Sequence, residues 1–152
     1  ELSHAEDALC FIPYGCMVDE FQHRMYENPD LTPAERNEIW ASLEKKYRPY
    51  LSTEGLPFYG RGAGWQRQLH IYMYPLYYID YCMAQTVAFQ FWLAYMKNKE
   101  DAWKRYLAFT DKAGTKTFEE VVSEAGLFLP YEDGGMKKIC ESVGEWIRTH
   151  QL

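Results

Sequence analysis

The run from Trp65 to Lys97 constrains this chain more than any other. From Pro75 to Lys97 there is no further Gly or Pro, and Asp80 is the only formal charge before Lys97. Proline suits the first turn of a helix, where its missing N–H costs nothing, and the residue before it is pushed out of helical geometry. The spacing therefore predicts that Tyr74 lies in a loop and that Pro75 opens a helix reaching Lys97. Tyr74, Tyr78, Tyr81, Gln85, Ala88, Trp92 and Tyr95 recur at steps of three and four and form one face of that helix. The face is apolar at its far end and carries phenols at its start, just after His70, as a buried face meeting a polar site would.

A chain of 152 residues with 47% hydrophobic and 17% aromatic content is the size of one domain and can bury a core, so residues 1–152 are expected to form one helical unit. The 16 basic and 22 acidic side chains give a net charge of -6, with no basic cluster to track a phosphate backbone; nucleic acid is not an expected partner. Cys10, Cys16, Cys82 and Cys140 lack Cys-x-x-Cys spacing and read as core thiols in a reducing cytoplasm. Residues 71–96 are the nearest approach to a membrane span. Asp80, which costs roughly 3 kcal/mol at a bilayer centre, together with Gln85, Gln90 and the tyrosines, argues for a buried helix and no membrane partner. The first residues carry no signal-peptide pattern and no initiator Met, as expected of a fragment of a longer cytoplasmic protein.

Ser3 and Glu6 suggest a capping box for a first helix reaching about Asn28, with a kink or break at Pro13 and Gly15. Thr32-Pro33-Ala34-Glu35 is a stronger start signal, for a helix over about 33–47. Residues 49–64 hold two Pro and three of their Gly in the Gly60–Gly64 cluster, which reads as an ordered loop or arm whose glycines give a flexible connection. Asn98 starts a further helix that stops near Gly114. Thr117 with Glu120 caps a short one ending near Gly126, and Gly134-Gly135 precede a last amphipathic helix using Met136, Ile139, Cys140, Val143, Trp146 and Ile147. No long alternation of period two occurs, so the class is all-α.

Glu20 and His23 are spaced like one half of a di-iron motif, but such sites need a second copy and two more glutamates, so they read as a solvated or hydrogen-bonded pair. His4 and His150 are expected to be solvated. His70, Tyr74, Tyr77, Tyr78 and Tyr81 differ because an imidazole and four phenols crowd one loop-to-helix junction. A tyrosine on such a face is commonly a core residue with a satisfied hydroxyl. Convergent polar groups in an apolar setting also mark binding sites.

Three runs, Phe11-Ile-Pro-Tyr-Gly-Cys-Met-Val-Asp-Glu-Phe-Gln-His23, Tyr26-Glu-Asn-Pro-Asp-Leu-Thr-Pro-Ala-Glu-Arg36 and Gly126-Leu-Phe-Leu-Pro-Tyr-Glu-Asp-Gly134, together with the central stretch, resemble the C-terminal part of the oligoendopeptidase F and thimet-type zinc metallopeptidases, nearest the bacterial Pz-peptidase branch. His70, Tyr78-Ile-Asp-Tyr81 and Phe89-Gln-Phe91 are more distantly similar to angiotensin-converting enzymes. The resemblance implies a helical, two-lobed zincin-type fold enclosing a cleft, of which this chain supplies the C-terminal portion. It also implies a zinc ion held by a His-Glu-x-x-His helix and a later Glu. The sequence has no His-Glu-x-x-His, so the chain is expected to hold no zinc itself.

By the same resemblance His70 and Tyr81 are the catalytic donors to the substrate carbonyl as it becomes an oxyanion. Tyr74 matches a loop Tyr of the thimet type with a spacing one residue shorter. Tyr78, with Tyr77 beside it, falls where the converting enzymes hold a substrate carboxylate. Their companion Lys, two positions before the His, is Gln68 here, which favours an endopeptidase on short peptides over a strict dipeptide-releasing enzyme. The implied partners are an oligopeptide substrate and the rest of the peptidase chain. The alternative from another class is a helical peptide-binding or regulatory module in which the same aromatic cluster grips a peptide without cutting it.

Overall fold

A computed structural model describes residues 2–150. Among the described residues there are seven α-helices, two 3-10 turns and no strand: α1 (Leu2–Glu27), α2 (Pro33–Tyr47), α3 (Leu69–Met73), α4 (Ile79–Lys97), α5 (Lys99–Thr110), α6 (Phe118–Glu124) and α7 (Gly135–Thr149). The 3-10 turns, Tyr59–Arg61 and Ala63–Arg67, occupy part of the expected loop. No described helix is long and apolar enough to cross a membrane. Contacts divide the chain into two units: Cys10–Cys82, and the segments on either side of it.

The helix α1, whose part from Cys10 onward belongs to the Cys10–Cys82 unit, is continuous. Ser3 lies inside it and does not cap it, and neither Pro13 nor Gly15 breaks it. Gly15 is there for space, since a Cβ would stand 2.0 Å from Cys82 Sγ. The core joins Met17, Val18 and Phe21 of α1 to Trp40 and Leu43 of α2 and to Trp65. Complete burial of side chains such as Phe21 or Met17 contributes roughly 1.5–3 kcal/mol each. Thr32 and Glu35 form the capping box expected for α2, with Thr32 N–H donating to Glu35 Oε2 at 2.7 Å.

Gly60, Gly62 and Gly64 of the connecting segment are packed, not slack, whereas Gly55 has open space around it. Gly62 is left-handed at φ 74°, and a Cβ there would lie 2.1 Å from the Asn37 carbonyl oxygen. Trp65 Nε1 donates to Asn37 Oδ1 at 2.8 Å, fastening the segment to α2.

The other unit gathers Val87 and Phe91 of α4, Val122 of α6 and Leu129 into its core. Gln90 exchanges two hydrogen bonds with the Phe128 backbone, at 2.7 and 2.9 Å. Asn98 caps α5, Thr117 and Glu120 form a capping box on α6, and Ile139, Val143 and Ile147 are the buried stripe of α7.

The central helix departs from expectation in two respects. It opens at Ile79, not at Pro75, and its buried positions are Cys82, Thr86, Val87, Phe89 and Phe91, whereas Tyr81, Ala88 and Tyr95 are exposed. The buried stripe of the helix is filled by two small side chains, a valine and two phenylalanines. Tyr81 and Tyr95 lie on the neighbouring stripe and stay partly open to water. Of the four cysteines only Cys82 is buried; Cys10 is exposed, and Cys16 and Cys140 are half-buried.

Candidate functional site

The site is built on the junction between α3 and α4. Gln68 is extended, at φ -81° and ψ 91°, and delivers His70 to the first turn of α3. The helix stops at Met73 because Tyr74, preceding a proline, adopts φ -138° and ψ 66°. Tyr77 N–H donates to Tyr74 O at 3.2 Å, closing a turn with Pro75 and Leu76 at its centre. Leu76 takes φ 62°, alone among the described non-glycine residues in being left-handed. Proline second and a positive φ third is the pattern of a type II turn, which ordinarily places glycine where this leucine stands. The turn is held from beneath by Gln22, only 1% exposed, whose Oε1 accepts the Leu76 N–H at 2.8 Å while its Nε2 donates to Val18 O.

This backbone brings together all five residues singled out in the sequence. The His70 ring centroid lies 4.9 Å from that of Tyr78, 5.6 Å from Tyr81 and 6.2 Å from Tyr74, and Tyr77 packs edge-on to Tyr81 at 5.3 Å. His70 Nε2 and the Tyr81 hydroxyl are 3.4 Å apart. Tyr74, Tyr77 and Tyr81 are 55%, 47% and 40% exposed. Tyr78 differs: it is half-buried and packs against Phe11 and Tyr14 as well as His70.

Loss of hydration, and then the neighbouring Tyr77, holds the Tyr81 phenol above its ordinary pKa. Burial, and then Cys82, does the same to Tyr78. Both are therefore neutral proton donors at neutral pH. An imidazole nitrogen and a phenol converging from a short helix and the start of a long one can place two hydrogen bonds on a single oxygen atom.

Glu20 and His23 do not act as a pair. Glu20 accepts from Arg24, from Lys46 Nζ at 2.6 Å and from Tyr47 OH at 2.5 Å, whereas His23 faces Asp19 at 3.4 Å. His150 stacks on Trp146 with centroids 4.2 Å apart, and its Nδ1 donates to the Trp146 carbonyl at 2.8 Å. No three His, Cys, Asp or Glu side chains gather as a metal site among the described residues.

The same chain geometry occurs in solved structures. A protein assigned as an oligoendopeptidase F is 44% identical over 97% of this chain, with a TM-score of 0.93. Pz peptidase A, solved with an inhibitor, is 45% identical over 97%, with a TM-score of 0.92. The chain is homologous to one portion of these peptidases. It spans 26% of the length of each. A protein assigned as an oligoendopeptidase F from Bacillus anthracis is 36% identical over 97% of the chain, with a TM-score of 0.77, and 23% of it is covered. Neither a protein-family model nor a curated protein matches the sequence.

Tyr14, Gln22 and Leu76 are not marked as site residues by the sequence, and Gln68 stands out there only as a departure from a lysine. Gln22 did carry a signal, a polar side chain adjoining the inward run of Val18, Phe21 and Met25. Nothing local marks Leu76 as left-handed.

Proposed function

We propose that this chain is the C-terminal helical part of a cytoplasmic zinc-dependent endopeptidase that hydrolyses short peptides, and that it contributes oxyanion-stabilising and substrate-binding side chains. The observation that carries the reading is the convergence of His70 Nε2 and the Tyr81 hydroxyl, within 3.4 Å of each other, in a chain 44–45% identical to oligoendopeptidase F and Pz peptidase A portions. As the scissile carbonyl becomes tetrahedral, its oxygen gains charge, and rigidly aimed donors stabilise that charge more than the ground-state carbonyl. The exposure of Tyr74 and Tyr77 on the same cluster supports a role for them in contacting the peptide. Tyr78 buttresses the His70 ring and reaches the substrate with its hydroxyl edge.

Zinc enters this reading as the ion that activates water in the family the sequence resembles. In this reading the zinc ligands are supplied by the rest of the peptidase, since the sequence carries no His-Glu-x-x-His. The test is Tyr81→Phe in the full-length enzyme, which keeps the ring and deletes one donor. Turnover should fall on the order of a hundredfold, about 3 kcal/mol, with KM and zinc content nearly unchanged. Wild-type turnover in that variant removes Tyr81 from the mechanism.

A further inference from the structure

Behind His70 runs a chain of hydrogen bonds that none of the site tyrosines shares. The Tyr14 hydroxyl, on α1, lies 2.7 Å from Gln68 Oε1, and Gln68 Nε2 lies 2.8 Å from His70 Nδ1. An amide nitrogen has protons to give and no lone pair to accept with, so the Nδ1 facing it must be bare. In a neutral imidazole the single ring proton then resides on Nε2, the nitrogen facing Tyr81.

The direction of this chain is set at its far end. With the amide turned over, Gln68 Nε2 would donate to the Tyr14 oxygen, and the phenol proton would need another acceptor. The groups around that phenol are the guanidiniums of Arg48, 5.1 Å from the Tyr14 ring centroid, and of Arg67, which only donate, with the Tyr78 phenol and the Glu44 carboxylate further out; the hydroxyl makes its hydrogen bond to Gln68 Oε1 and to neither of those two acceptors. Burial pushes the Tyr14 phenol up to about 12, so it keeps the proton it donates. Leaving a half-buried hydroxyl donor unmet costs about 1–3 kcal/mol, and the orientation in which Tyr14 gives to Oε1 avoids it.

Resting on the reading of His70 as an oxyanion donor, we propose that Tyr14 and Gln68 are positioning residues that hold neutral His70 in its Nε2–H tautomer. The consequence reaches Tyr81. In the opposite tautomer Nε2 would be an acceptor, and the Tyr81 hydroxyl would spend its proton on the imidazole. With the proton on Nε2, both His70 and Tyr81 remain donors to one substrate oxygen. The glutamine therefore sets the polarity of the pair without touching the substrate.

The test uses full-length protein with ring-15N-labelled histidine, the His70 signals being assigned by their loss in His70→Phe. A pyridine-type Nδ1 and a pyrrole-type Nε2 are expected at a pH where His70 is neutral. Gln68→Leu should move both signals toward intermediate values as the tautomers mix, and the conservative Tyr14→Phe should move them the same way by less. In both variants turnover should fall, by up to the roughly hundredfold cost of one lost donor, with KM little changed. A pyrrole-type Nδ1 in the wild type, or ring signals unmoved by Gln68→Leu, overturns the proposal. A merely structural role for Gln68 would lower the melting temperature and leave the ring signals in place. The two readings also fail separately. A silent Tyr81→Phe with an Nε2–H His70 sinks the oxyanion role alone, whereas a slow Tyr81→Phe with an Nδ1–H His70 sinks the tautomer assignment alone.

Discussion

At the scale of the residue, the most informative position is Leu76, because a bulky side chain at φ 62° costs about 1–2 kcal/mol that its neighbours must offset. Gln22 is the visible compensation. Its buried amide satisfies the Leu76 N–H and fixes where Tyr74 and Tyr77 leave the turn. Replacing it with leucine leaves that N–H without its partner, so Gln22→Leu should destabilise the protein by about 1–3 kcal/mol in denaturant unfolding. Leu76→Gly should relieve the strain and partly restore stability in the double variant, since glycine enters the left-handed region freely. Equal stability of wild type and Gln22→Leu would show that the turn holds itself. The turn lies within the aromatic cluster, in keeping with the tendency of strained backbone to occur at functional sites.

At the scale of the element, local chemistry was legible and packing was not. The capping boxes at Thr32–Glu35 and Thr117–Glu120 are complete within four residues, so α2 and α6 start where the sequence places them. Pro75 was ambiguous because the same fixed φ suits the first turn of a helix and the second position of a β-turn. The choice went to the turn through Gln22, a residue remote in sequence. The five members of the candidate site were legible as a cluster of types, whereas the Tyr14–Gln68 support depends on α1 lying beside α3, which no spacing reveals.

Gly15 illustrates the same limit with opposed signs. Helix propensity alone makes Gly15→Ala stabilising by about 1 kcal/mol. The contact with Cys82 Sγ, at 2.0 Å from the new methyl, makes it destabilising, by about 1–3 kcal/mol if the helices must shift to admit it. Thermal melts of Gly15→Ala should show the loss, and adding Cys82→Ala should recover part of it through coupling of the two sites.

At the scale of the whole molecule, each unit carries one carboxylate whose ionisation is tied to its cations. Hydrogen bonds from Lys46, then from Tyr47, hold Glu20 at about 2, and those from Lys112, then Lys116, hold Glu124 at about 2, against an ordinary 4.5. A carboxyl depressed in the folded state adds stability that is complete above its unfolded pKa and is lost as pH falls through the folded one. Both contributions should therefore fade between about pH 4.5 and 2. Glu44, raised mainly by burial, acts in the opposite sense, since protonation relieves its desolvation. The two depressed carboxylates are not equal. The Glu20 side chain is 22% exposed and that of Glu124 38%, so water and salt screen Glu124 more. Melting temperatures taken across that range should thus fall less steeply in Glu20→Gln than in wild type, with a smaller change in Glu124→Gln that disappears in high salt. An unaltered slope in Glu20→Gln would mean that its bonds to α2 give the folded state no pH-dependent advantage.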